Sequence, residues 1–191
     1  MICGRTHEEL LRDIKNFHGY VAPGLVIGAF MVDVAYRLLE KNVEADVIVE
    51  TKHCLPDAIQ IFSPCTVGNG WLKILDLDKF AVAFHDRHTH AGIRIWLDLK
   101  KAEAHPNIYK WFMGQVSKKD LPSEVLVDAI LKAGDDILSH APVVVIKNAK
   151  REKKGAVRVC ERCQEAYSAS QGDICLACQG LGYYIQAAVN A

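Results

Sequence analysis

The chain is predicted to be an α+β protein: a mixed β-sheet flanked by helices, followed by a small metal-binding module. Three observations predict this. Apolar residues recur at helical intervals in the first forty or so positions, β-branched runs separated by Asp- and Gly-bearing turns alternate with helical stretches further on, and two Cys-x-x-Cys pairs close the chain.

Thr6 stands three residues before Glu9, the spacing of a capping box, and Leu10, Leu11, Ile14 and Phe17 then share one helical face. A first helix ending near His18-Gly19 follows. After Pro23-Gly24, the stretch from Leu25 to Leu39 is too long for a strand and apolar around most of its circumference, which predicts a buried central helix. The run Val47-Ile48-Val49, within Ala45 to Lys52, predicts a strand. Leu55 to Phe62, with Pro56 in its first turn, suits a short helix, so that Cys54 falls at a strand-to-helix junction. Further strands are expected at Trp71 to Leu75, Phe80 to His85 and Ile93 to Leu97, helices at Pro106 to Gln115 and Pro122 to Ser139, and a last strand at Val143 to Ile146.

The expected organisation is a core domain over 1–147, a basic linker over 148–157 and a zinc-finger domain over 158–191. The linker prediction rests on Lys147 to Gly155, polar and mostly basic, without an apolar period. Lys plus Arg equals Asp plus Glu at 23 each, so no net field draws the whole molecule to nucleic acid or to an anionic membrane. Glu8 and Glu9 interrupt what an export signal would need to be apolar, and the apolar segment from Leu25 to Val34 is about half a membrane span and contains Asp33. A cytoplasmic protein without a membrane partner is expected. Its cysteines number seven, and in a reducing compartment the paired ones suit a metal or reactive thiols better than a disulfide framework.

Cys160 and Cys163 form one Cys-x-x-Cys pair and Cys175 and Cys178 the other, with eleven residues between the pairs. Each pair can place two thiolates about 2.3 Å from one ion, and two pairs close a tetrahedral shell with no open position. Such a site is structural. An iron–sulfur cluster also takes four cysteines, but the two-and-two arrangement is more typical of zinc. The segment is too short to bury a core of its own, so the metal would have to supply its folding free energy.

The stretch Phe17-His18-Gly19-Tyr20-Val21-Ala22-Pro23-Gly24-Leu25 puts an imidazole ahead of the buried helix, while Cys54 and Cys65 flank the short helix 55–62. A nucleophilic Cys54, activated by His18 and by the dipole of the helix that begins at Leu55, is one use for such a constellation. The group His85-Asp86-Arg87-His88-Thr89-His90 places His88 and His90 at strand spacing, but on an expected turn, where solvated histidines are ordinary.

These residues carry a resemblance to the family of the E-type subunits of formylmethanofuran dehydrogenase. The family's hallmarks are a Phe-His-Gly-His-x-Cys-Pro-Gly-Leu segment, then Cys-x-x-Asp-Ala-Ile-Gln, then Gly-Cys-Thr-x-Gly. His18, Gly19, Pro23, Gly24 and Leu25 match the first, with Tyr20 and Ala22 where the family usually has histidine and cysteine. Cys54, Asp57, Ala58, Ile59 and Gln60 match the second, and Cys65, Thr66 and Gly68 the third. The resemblance implies a thioredoxin-like core, an intertwined homodimer, oxidoreductase subunits as partners and a C-terminal treble-clef zinc finger. It also implies a core pocket of His18, Tyr20, Cys54, Asp57, Gln60 and Cys65, open to a second metal. The function expected is that of a metal-binding accessory or redox-related protein. The alternatives are a thiol-dependent enzyme using Cys54 and a nucleic-acid-binding regulator acting through the finger and linker; nucleic acid is not the expected partner.

Overall fold

The computed structural model describes residues 1–40, 43–117, 119–146 and 156–182. Its first helix, α1 (His7–His18), begins with the capping box: the Thr6 hydroxyl accepts from the Glu9 amide at 3.2 Å, and Glu9 Oε2 accepts from the Thr6 amide at 2.9 Å. Gly19, at φ 91, ends it in the left-handed conformation that glycine adopts without steric cost. Helix α2 (Pro23–Leu38) has 11 of its 16 residues buried, which makes it the centre of the core. It packs on α3 (Leu55–Phe62) through Gly28, where a Cβ would stand 2.5 Å from that of Ala58. Only a residue without a side chain allows this approach.

Five strands form one mixed sheet in the order β2-β1-β3-β4-β5: β1 (Ala45–Val49) is parallel to β2 (Leu72–Ile74), and β3 (Ala81–Asp86), β4 (Ala91–Leu97) and β5 (Leu138–Val144) continue antiparallel. Strand alternation sends Val47, Val49, Val82, Phe84 and Ile95 into the apolar core shared with Leu10, Ile14, Met31 and Ile59. Fully burying each large apolar side chain contributes about 1.5–3 kcal/mol. The other sheet face sets Asp46, His85, Arg94 and Trp96 among small and aliphatic residues such as Ala83 and Ile48. There Arg94 donates to both oxygens of the buried Glu50, at 2.6 and 2.8 Å, and its guanidinium lies 5.3 Å from the Trp96 ring centroid.

Three expectations about elements are corrected. A short helix, α4 (Leu99–Ala102), was not foreseen; Asp98 caps it by accepting from the Lys100 and Lys101 amides. Helix α5 (Pro106–Phe112) stops short of Gln115. Helix α6 (Ser123–Ala133) ends well before Ser139, because Gly134 takes φ 62 and starts a tight turn, Gly134–Ile137, after which β5 begins at Leu138 rather than Val143. Pro142 hides β5 from sequence reading, yet as the sheet's edge strand it tolerates a missing N–H.

The chain divides into two compact units, Met1–Ala149 and Lys150–Ala191. Lys147 to Gly155, the basis of the linker prediction, lies outside the described residues. In the second unit β6 (Val157–Val159) and β7 (Ala166–Ser168) form an antiparallel hairpin, followed by one wide helical turn, Ala177–Leu181. Among the described residues, no single helix is long and apolar enough to cross a membrane.

Candidate metal centre and core thiol pocket

In the second unit, the turn between β6 and β7 carries Cys160 and Cys163, Cys175 stands just before the helical turn and Cys178 lies within it. Their four sulfurs all lie within 4.8 Å of one another. Cys163 and Cys175 Sγ are 3.7 Å apart, close to the roughly 3.7–3.8 Å edge of a tetrahedron with zinc–sulfur bonds of about 2.3 Å. Backbone amides of Cys163 and Cys175 directed at Cys160 lower its thiol to about 6, whereas Cys178, hydrogen-bonded first of all to Cys175, is pushed up to about 12. Thiols packed this closely oppose one another's ionisation, so a dication is what would let all four sulfurs ionise. Among the described residues of this unit, the buried cluster consists of Cys160, Tyr167 and Cys175. So small a core cannot hold the unit's shape by apolar burial.

In the first unit, the site assembles around the start of α3. Cys54 is its N-cap residue, at φ 55, and the Leu55 amide donates to the His53 carbonyl two residues back, a γ-turn that few non-glycine residues adopt. Asp57 follows in the same helical turn, and its Oδ2 accepts from His18 Nδ1 at 2.7 Å. The Tyr20 ring lies 4.8 Å from that of His18, and His18 Nε2 is buried with no hydrogen-bond partner. Gly24 completes the contact: a Cβ there would meet Cys54 Cβ and Sγ at 2.9 Å. A cleft of about 390 Å³ opens beside the thiol, lined among others by Tyr20, Ala22, Cys54, Trp111 and Leu126. Burial, and then the charge of Asp57, raise the Cys54 pKa, so the thiol rests protonated.

The structure thus brings His18, Tyr20, Cys54 and Asp57 to one place, but not the other two predicted members. Cys65 lies beyond the opposite end of α3, fully buried, where its Sγ donates to the Ala45 carbonyl at 3.3 Å and burial raises its pKa. Gln60 faces that end too, with Oε1 accepting from the Val67 amide at 3.3 Å. The intervening helix separates residues that are near in sequence. Trp111 and Leu126, contributed by α5 and α6, were not singled out, since nothing local marks an aromatic or a leucine as lining a cleft. Cys3 is a packing residue: its Sγ donates to the Ala29 carbonyl at 3.3 Å, and burial first, then Asp33, push the thiol up to about 12.

The histidine group differs from its expectation. His88 is exposed in the turn, with Nε2 3.4 Å from Glu44, but His85 belongs to β3 and is fully buried, which lowers its pKa. His90, at φ 62, closes the hairpin with its ring against that of His85.

Comparison with known proteins gives matches over both units. A sequence model described as FmdE, molybdenum formylmethanofuran dehydrogenase operon, matches residues 17–147, and one described as the FmdE treble-clef zinc finger matches residues 151–185. The crystal structure of a tungsten formylmethanofuran dehydrogenase FmdE-like protein from Syntrophus aciditrophicus superposes with a TM-score of 0.88. It is 42% identical, with 97% of this chain and 98% of that one covered. A curated protein of Archaeoglobus fulgidus named probable S-adenosyl-L-methionine-binding protein is 33% identical over an alignment 111 residues long, which covers 54% of this chain and 29% of that protein's length.

Proposed function

The chain belongs to the FmdE family, and from that premise we propose that it is a metal-binding accessory protein with a structural zinc at the C-terminus and a second, ligand-accessible metal site in the core. Cys160, Cys163, Cys175 and Cys178 hold the zinc, whose chemistry is structural because four protein sulfurs leave no open coordination position. In the core, His18 and Cys54 are the candidate ligands. One observation carries this: Asp57 fixes His18 through Nδ1 while Nε2 stays buried and unpartnered. A carboxylate on one imidazole nitrogen with the other nitrogen presented inward is the usual outer shell of a metal-bound histidine. Tyr20 or water would complete the shell, since Cys65 lies elsewhere.

Elemental analysis and the visible spectrum of the cobalt-substituted full chain test the proposal. A thiolate-to-cobalt charge-transfer band that survives Cys163→Ser but is lost in a Cys163→Ser/Cys54→Ser double variant supports the core site. One metal per chain, lost entirely in Cys163→Ser, refutes it.

The same Cys54–His18–Asp57 grouping would serve a thiol-dependent enzyme, but the raised Cys54 pKa favours a resting thiol over a poised nucleophile. A reducing, cytoplasmic setting fits seven free cysteines. The homodimer and the oxidoreductase partners implied by the resemblance belong to the proposal too. Light scattering of the purified protein checks the first.

A further inference from the structure

Three buried side-chain polar atoms among the described residues have no hydrogen-bond partner: His18 Nε2, His85 Nε2 and His90 Nδ1. The first belongs to the pocket above. The other two are neighbours on the β3–β4 hairpin, with ring centroids 6.0 Å apart and planes inclined at 44°. A buried polar atom left unpaired costs about 1–3 kcal/mol. Two of them on neighbouring rings point to a shared ligand.

The chemistry of the nitrogens identifies that ligand. His85 Nδ1 lies 3.2 Å from the Asp86 carbonyl oxygen, which can only accept, so Nδ1 carries the hydrogen and Nε2 of the neutral ring presents a bare lone pair. Anchoring one imidazole nitrogen on a backbone carbonyl while the other is presented is again the outer shell of a metal-bound histidine. Two imidazoles on one ion, at metal–nitrogen distances of about 2.0–2.1 Å and the tetrahedral or cis-octahedral angles of such ions, set their ring centroids roughly 4.5–5.5 Å apart. The observed 6.0 Å is about half an ångström longer, so a small swing of the His90 ring toward His85 brings both onto one ion.

The hairpin is built to hold the pair. Gly92 is the register partner of His85 on β4, and a Cβ there would collide with the Phe84 carbonyl and stand 2.7 Å from His85 Cβ. Asp46, 7% exposed, is the register partner of His85 on β1; its Oδ1 accepts from Arg87 Nε at 3.0 Å. Arg87 Nη2 also lies 2.9 Å from that oxygen, so the carboxylate is balanced by Arg87 and the two imidazoles are the protein donors.

We propose that His85 and His90 form a two-histidine site for a divalent first-row cation such as Zn²⁺ or Ni²⁺, distinct from the finger and from the His18–Cys54 pocket. Imidazole donors suit these ions. Water completes the coordination.

The test is a zinc titration of the zinc-loaded full chain, labelled with ¹⁵N-histidine and read by long-range ¹H–¹⁵N spectra that report each ring nitrogen. The metal-free hairpin should show His85 as the Nδ1–H tautomer, and added zinc should move His85 Nε2 and His90 Nδ1 together. The response should persist in Cys54→Ser, which removes the thiol of the other proposed site. His90→Gln, at a half-buried position, should weaken binding at His85 at least about 100-fold, since loss of an outer-shell partner alone costs about 10–100-fold. An Nε2–H tautomer at His85, ring resonances unmoved by a large excess of zinc, or an unchanged His85 response in His90→Gln would each overturn the proposal.

Discussion

At Cys54 the backbone conformation and the electrostatics act on the same atom. A φ of 55 on a residue with a Cβ costs about 1–3 kcal/mol and persists because α2 and α3 close around it, Gly24 leaving just enough room for the sulfur. Burial and Asp57 hold the thiol above its ordinary pKa, so iodoacetamide should label Cys54 more slowly at pH 7 than it labels free cysteine. Asp57→Asn should speed that labelling severalfold by removing a charge that opposes the thiolate. Peptide-resolved mass spectrometry reads both rates, and an unchanged rate in the variant means that burial alone sets the pKa. The matched motif residues were visible in the sequence. That His18 meets Asp57 and not Cys65 was not, because the partner depends on which end of α3 faces α1.

Among the elements, the α2–α3 contact is the tightest link between the central helix and the thiol site. Gly28→Ala would force its Cβ to 2.5 Å from that of Ala58 and 3.2 Å from Leu55 Cδ2. Overpacking of this kind typically costs about 1–3 kcal/mol, so a urea midpoint lowered accordingly, with an unchanged slope, is expected. On the sheet's other face, Glu50→Ala strands the Arg94 guanidinium beside a partly buried site and should destabilise by about 3 kcal/mol, the low end for breaking a buried pair. The double change Glu50→Ala/Arg94→Met should recover most of that loss. Capping box, central helix and the first four strands were all legible from local pattern. The boundary between α6 and β5 was not, since an edge strand containing Pro142 is stabilised by its register with Ala91–Leu97 and not by its own propensity.

For the whole molecule, the two units rest on different sources of stability. The first has an extensive apolar core, whereas the second, among its described residues, has a buried cluster of three and a group of sulfurs. Chelation of the metal, or Cys163→Ser, should therefore unfold the second unit while the thermal transition of the first keeps its midpoint, as read by calorimetry. Acid acts on the first unit through its carboxylates. Asp86 is held below its ordinary pKa first by the Thr89 amide, Asp98 by Ser139 and Asp135 by Arg37. A depressed folded pKa gives stability that is fully present above the unfolded value near about 4 and is lost as pH falls through the lower folded values. The midpoint should thus decline below about pH 4 on their account, and Asp98→Asn should flatten that decline.

Local chemistry was sufficient to specify much of this protein from its sequence: the helix caps, the alternation of apolar residues and the doubled cysteine pairs each act over a few residues. Tertiary structure alone decided which distant groups meet. It placed Cys65 away from Cys54, set Asp57 on His18, brought Trp111 to the cleft and buried His85 against His90. Sheet register and helix packing join residues tens of positions apart, and no pattern along the chain records which of them will be neighbours.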